Sequence, residues 1–432
     1  MVSPADHPLR LVLTNEVHAR PFAALRTPAR VSHIAMLSGE GGLAADRACL
    51  DALLDRFGRP RPPADANHVF QDFGGFRLKW ERHTEFCSWT VFVDGTAASP
   101  FATPAIEALP ADWLAGLPGS RLVAIHVAVE RVEAPSPVDD LARHFDPEFM
   151  AGSAVSGGGA EAWTDFRIHE DGFGRILVRD RALKPRQAGR VVQRLLEVET
   201  YRMMALLALP LAREVGPTIS AADRELVAIT AAMHSLGGLG DERRLLGKLT
   251  GLAAEVERVT AQSSYRFGAA RAYAALVERR IDELREQRIE GVQTIAEFME
   301  RRLAPALRTC AATAERLEAI AARLQRAGDL LRSRVDIALE AQNQALLASM
   351  DRRAQLQLRL QATVEGLSVA AISYYVVGLI GYAAKALEKA GVPVHAELAT
   401  GTAIPVVIAA VWALVRRVRR HVSDSTTSPR EP

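Results

Sequence analysis

Apolar and polar positions follow three different rhythms along this chain. Between Val31 and Val178, short apolar or alternating runs are separated by glycine and proline. The runs Val31–Leu37, Phe76–Arg82, Phe86–Val93, Leu122–Val129 and Arg175–Val178 carry the β-branched and aromatic residues typical of strands. GFRLKWE and RHTEFCSWTVFV read as the two arms of a hairpin turning at Arg82–Thr84. Helical spacing fits Gly42–Phe57, closed by Gly58 and Pro60, and also Pro137–His144. The expectation is an α+β domain over residues 1–183.

After Lys184-Pro185 the strand signals stop and helical periods take over. Pro185 suits a first helical turn, and the helix that follows runs to Pro210, which ends or kinks it. A second helix fits Ser220–Met233 with Ser220 as N-cap, a third is capped by Asp241, and a fourth begins near Thr294. In the fourth, Leu317, Ile320, Leu324, Leu331, Val335, Leu339, Leu346 and Met350 recur at spacings of three, four and seven. Such spacing predicts a coiled-coil-like stalk over residues 184–365, through which copies of the chain would associate as a homo-oligomer. No proline lies between Pro305 and Pro393, so one rod is expected to run into the next region.

The third rhythm is none at all. Residues 367–384 (LSVAAISYYVVGLIGYAA) and 398–415 (LATGTAIPVVIAAVWALV) contain no charged side chain. As helices each would be about 27 Å long, close to the hydrocarbon thickness of a bilayer. The polar connector KALEKAGVPVHAE breaks helix at Gly391 and Pro393, so residues 366–415 predict a two-helix transmembrane hairpin with the lipid bilayer as partner. Arg352, Arg353 and Arg359 precede it; Arg416, Arg417, Arg419 and Arg420 open a basic tail over 416–432. Basic residues are retained inside, so both termini are expected in the cytoplasm. Tyr382 and Trp412 suit the interfaces, whereas Tyr374 and Tyr375 sit deeper. Ser373, Tyr374, Tyr375, Gly378, Gly381 and Tyr382 are candidates for helix packing or for lining a path between subunits.

Composition narrows the classes of function. With 53 Lys+Arg against 51 Asp+Glu the net charge is +2, which argues against nucleic-acid binding by the chain as a whole. Three scattered cysteines, Cys49, Cys87 and Cys310, support neither a disulfide framework nor a zinc ribbon, so no metal site is predicted and the compartment is expected to be reducing. The opening residues lack the apolar run of a signal peptide.

Candidate chemistry is sparse. In TNEVHARPF, Glu16, His18 and Arg20 alternate, so an extended chain would turn them to one side, where they could hold a phosphate, a carboxylate or a metal; the competing reading is an ion-paired docking segment. His33, His126 and His169 lack ligand spacing and read as core or surface residues. Residues 152–159 (GSAVSGGG) form the one small-residue loop able to cradle an anion, against the plainer reading of a flexible connection. Asp165, Arg167, His169, Glu170 and Asp171 fit a strand edge beside it. No nucleophile elbow occurs, no cofactor is indicated, and no catalytic activity is expected.

TNEVHARPF, AWTDFRIHEDGFGRILV, AGRVVQRLLEVETYRMMALLALP and VEGLSVAAISYYVVGLIGY together resemble the bacterial membrane-anchored proteins grouped as domain-of-unknown-function family 3422. That resemblance covers nearly the whole chain; it implies the bacterial inner membrane and carries no activity or catalytic residue with it. A weaker resemblance, of plan alone, is to CorA-type divalent-cation channels. Their Gly-Met-Asn motif is missing where Gly378-Leu-Ile-Gly-Tyr382 stands. The expectation is a membrane-anchored protein with a ligand- or partner-binding cytoplasmic domain; the alternative is an oligomeric CorA-like channel or transporter.

Overall fold

The computed structural model of the chain describes residues 6–11, 13–14, 22–38, 42–132, 138–235, 237–390, 393 and 395–425. The backbone divides into two compact units, Met1–Ser235 with Leu245–Gly328, and Leu236–Arg244 with Asp329–Pro432.

The first unit is built on a nine-stranded sheet. Its strands are β1 (Ala29–Leu37), β2 (His68–Asp72), β3 (Arg77–Arg82), β4 (Phe86–Asp94), β5 (Ser120–Arg131), β6 (Ala151–Val155), β7 (Ala160–Thr164), β8 (Gly174–Asp180) and β9 (Gln287–Arg288), in the spatial order β2-β3-β4-β1-β5-β8-β7-β6-β9. Every pairing is antiparallel except β5 with β8. A parallel neighbour needs a crossover, and here the crossover contains the β6–β7 hairpin.

Alternation along each strand sends side chains to opposite faces. One face carries Ile34, Met36, Leu78, Trp80, Trp89 and Val91, buried under α1 (Gly42–Arg56) and the short α2 (Ala111–Ala115) through Leu50, Leu53, Leu54 and Trp113. The other carries Val31, Ala35, Val127, Val129, Ile176 and Val178 under α3 (Pro185–Leu206), with Val191, Val192, Leu195 and Val198 inward. Further helices are α4 (Ala208–Ala232), α5 (Leu239–Leu284), α6 (Ile295–Arg302), α7 (Ala304–Lys389) and α8 (Ala396–Ser425). Thr294 caps α6 in a reciprocal capping box with Glu297. In the first unit Leu226, Ile229, Leu249, Leu252, Leu317, Ile320 and Leu324 are all buried.

Several sequence-based expectations need correction. Ser220 does not cap a helix: α4 starts at Ala208, and the Ser220 hydroxyl donates to the Gly216 carbonyl. Pro210 sits in the first turn, where a missing N–H costs nothing, and Pro217 is tolerated inside the helix because neighbouring Val215 and Ile219 are buried. Residues 152–159 are not an anion-cradling loop. They form β6 and a turn, with Ser156, Gly157 and Gly158 at positive φ, and amides of the run are spent on sheet and turn bonds. The stretch from Asp165 to Asp171 is irregular and not a strand edge, because Phe166 turns left-handed and the Asp165 carboxylate takes the amide of Arg167. Strand structure also returns once after residue 184, at β9.

In the second unit the last two helices touch through small side chains. A Cβ at Gly381 would lie 3.4 Å from Thr400 Oγ1. Ser373 and Ala384 on α7, and Ala396, Val407 and Val411 on α8, are buried. The larger apolar side chains Leu367, Ile372, Leu379, Leu398, Val406, Ile408, Trp412 and Leu414 are exposed. Both helices contain a segment long and apolar enough to cross a membrane. Of the predicted seam, Leu331 and Val335 are buried here, whereas Leu346 and Met350 are exposed.

Candidate functional site

A cavity of the first unit lies between the sheet and α3. It measures about 260 Å³. Its floor follows from strand register: Lys79, Thr90 and His33 form one row across β3, β4 and β1, and Glu81 lies opposite Ser88 in the next. These are the polar positions of strands whose alternate residues fill the opposite core. The roof is a helical stripe on α3, Gly189, Gln193, Leu196, Glu197 and Thr200, at the three- and four-residue spacing of one helix face. Gly189 is required at that approach, since a Cβ there would stand 1.7 Å from the Ala23 carbonyl oxygen. Arg280 of α5 closes one side.

Hydrogen bonds fix the protonation of the floor. The Thr200 hydroxyl donates to the Leu196 carbonyl at 2.8 Å, so its oxygen is free to accept from His33 Nε2 at 3.2 Å. Nδ1 of His33, 2.8 Å from Thr90 Oγ1, then accepts. That pattern needs a neutral imidazole, and burial, reinforced by His83 and Lys79, lowers the His33 pKa to about 3.

Around this histidine the charges are balanced. Lys79 Nζ lies 2.9 Å from Glu81 Oε1 and 3.4 Å from Gln193 Oε1, although Lys79 is only 4% exposed. Gln193 donates to Glu197 at 2.7 Å, and Glu197 is paired with Arg280. The lining thus holds two cations and two carboxylates. A wider hollow of about 730 Å³ shares His83 and Tyr201 with the cavity and extends past Asp46, Glu85 and Tyr273.

Other reactive-looking groups are explained by structure. Ser32 Oγ and His126 Nδ1 are 2.8 Å apart, but both are buried, and Ser32 also accepts the amide of Ile106, which ties a 3-10 turn to the sheet. His126 stacks on Phe173 at 3.9 Å, and burial lowers its pKa to about 4. Burial and Asp46 raise the pKa of the Cys87 thiol, and burial raises that of Cys49 to about 11. His169 is 3.1 Å from the buried Asp165 carboxylate. Among the described residues, no group of three His, Cys, Asp or Glu is placed to hold a metal ion.

The residues singled out from the sequence are scattered by the structure. Glu16, His18 and Arg20 lie outside the described residues. The chain resumes at Phe22, over which Arg190 is stacked, and Ala23 lines the cavity. Ser373 and Gly381 face the α7–α8 seam, and Ser373 Oγ is buried without a hydrogen-bond partner among the described residues. Tyr374, Tyr375 and Tyr382 are over 70% exposed, and nothing lies within 4 Å of a Cβ at Gly378. Arg416 stacks on Trp412 and Arg417 is exposed; the side chains of Arg419 and Arg420 lie outside the description.

A sheet-and-helix unit with a charge-balanced cavity, and a long helix followed by a shorter apolar one, define the class. The family described as Protein of unknown function (DUF3422) matches residues 5–422, and the chain belongs to that family. No curated protein and no solved structure matches it, so the likeness of plan to CorA-type channels finds no support in these comparisons.

Proposed function

We propose that this chain is an integral membrane protein of the bacterial inner membrane. Its two apolar segments, 367–384 and 398–415, form a transmembrane hairpin with both termini in the cytoplasm, and its sheet unit is a binding module. The observation that carries the reading is the solvent-facing surface of the second unit. Leu367, Leu379, Leu398, Val406, Trp412 and Leu414 stand outward on two neighbouring helices, while Ser373, Gly381 and Ala384 lie toward the seam. A contiguous apolar surface of this kind is rare on a water-soluble protein and is what lipid requires. The flanking Arg352, Arg353, Arg416 and Arg417 support the cytoplasmic placement of both ends.

Self-association belongs to the same proposal. Leu339 is half-buried, whereas Leu346, Met350, Leu360 and Val364 are exposed on α7 at near-heptad spacing, the pattern by which copies pair as a coiled coil. No catalysis is assigned, because Lys79, Glu81, Glu197 and Arg280 are ion-paired and His33 is held neutral.

Sedimentation of native membranes washed with alkaline carbonate tests the anchoring. Retention of the full chain in the pellet is expected; quantitative release into the wash would overturn it.

A further inference from the structure

From the cavity under α3 we infer a binding site for a small zwitterion, a free α-amino acid or a close analogue. This deepens the reading of the sheet unit as a binding module and does not depend on the membrane hairpin. Three features select that chemistry.

The first is free capacity on adjacent, opposite charges. Lys79 Nζ has three N–H groups and only two partners among the described residues, Glu81 and the more distant Gln193. Glu81 meets Lys79 through Oε1, and its carboxylate has further acceptor capacity on Oε2. A cationic donor and an anionic acceptor, each with capacity left, therefore line the same space together with Ser88. A carboxylate meets the first and an ammonium the second.

The second is overall neutrality. Lys79 and Arg280 are matched by Glu81 and Glu197, so a ligand of net charge would bring an uncompensated charge into a buried place. A zwitterion brings none. The third is size and lining. About 260 Å³ corresponds to roughly nine water volumes. Phe86, Phe92, Val192 and Leu196 give the remainder of the space an apolar wall suited to a short aliphatic side chain.

The ion pair itself supports a functional origin. A Lys–Glu pair this buried gives little net stability compared with an apolar pair of the same volume. Its presence on a strand that otherwise alternates cleanly is explained if the pair meets a ligand.

The test is isothermal titration of the full-length protein in detergent with glycine, alanine, valine, leucine, serine and threonine. Each is compared with its amide, which lacks the carboxylate, and its N-acetyl derivative, which lacks the ammonium. At least one free amino acid should bind saturably, with both derivatives weaker by tenfold or more. Glu81→Gln and Lys79→Met should each cost tenfold or more. Because either can unsettle the buried pair, Ser88→Ala, which leaves both ion pairs intact, should cost threefold to tenfold with an unchanged melting temperature. Absence of saturable binding by all six, or an amide or N-acetyl derivative binding as well as its parent, overturns the inference. So do variants indistinguishable from wild type. Lack of binding by a protein that still resists carbonate extraction would reject the ligand site and leave the anchoring untouched.

Discussion

The two units solve the burial problem in opposite ways. In the sheet unit the aromatic and branched residues point inward, with Trp80, Trp89 and Trp163 essentially inaccessible, and the buried His33 is held by hydrogen bonds on both ring nitrogens. In the second unit Ser373, Ala384, Ala396, Val407 and Val411 are inside, whereas the larger Leu367, Leu379, Leu398, Val406, Trp412 and Leu414 are outside. The first arrangement is what water imposes on a chain. The second is what the proposed bilayer setting would favour. Hydrophobicity alone does not separate the two; the direction in which it points does.

Core truncation should break the comparison most sharply. Trp89→Ala removes a buried ring in edge contact with Trp113 and should cost the sheet unit about 3–5 kcal/mol. Tyr375→Ala, at an outward position, should leave the melting of detergent-solubilised protein within about 0.5 kcal/mol. Thermal denaturation of the two variants beside wild type measures both.

Charge insertion separates the units next. Leu379→Arg and Val406→Arg should each oppose membrane insertion by about 2.5–3.5 kcal/mol, seen as a falling carbonate-resistant fraction. Val227→Arg, at an exposed position of the sheet unit, should leave that fraction unchanged.

Acid should act on the sheet unit alone. The folded pKa values of His33 and His126, about 3 and about 4, lie below the ordinary 6.5, so the unfolded chain takes up protons first as pH falls. Stability is full above about pH 6.5 and declines below it, by about 2 kcal/mol per histidine between pH 7 and pH 5. His33→Gln should flatten that slope by about half in pH-dependent unfolding.

The smallest contrast is within the helix pair. Gly381→Leu meets Thr400 and should cost about 1–2 kcal/mol, whereas Gly378→Leu enters open space and should be neutral. Melting in detergent decides between them.

Much of the fold was legible because periodicity reports burial directly. β1, β3, β4, β5, β8, α1 and the continuous helix after Pro305 all stand near the runs that predict them. The β6–β7 hairpin was hidden because GSAVSGGG offers a single branched residue, Val155, to mark a strand; small side chains are demanded by packing, since a Cβ at Gly152 would enter the Trp163 ring at 2.2 Å. The cavity was hidden for another reason. Lys79 and Glu81 look like the wet side of an ordinary strand, and only the fold brings α3, more than 100 residues later, over them. A signal did exist in Gly189, Gln193, Glu197 and Thr200, a polar stripe on a helix whose neighbouring positions are apolar, with a glycine where the backbone must pass closely.

If the two units lie in different solvents, as proposed, tryptophan reports it. Four of the five tryptophans, at 80, 89, 113 and 163, are in the sheet unit; Trp412 is the fifth, on α8. The protein reconstituted into vesicles of acyl-chain-brominated lipid should lose a fraction of its fluorescence, and Trp412→Phe should abolish that quenching while leaving the remaining emission unaltered. Equal quenching of wild type and Trp412→Phe, or none in either, would contradict the account.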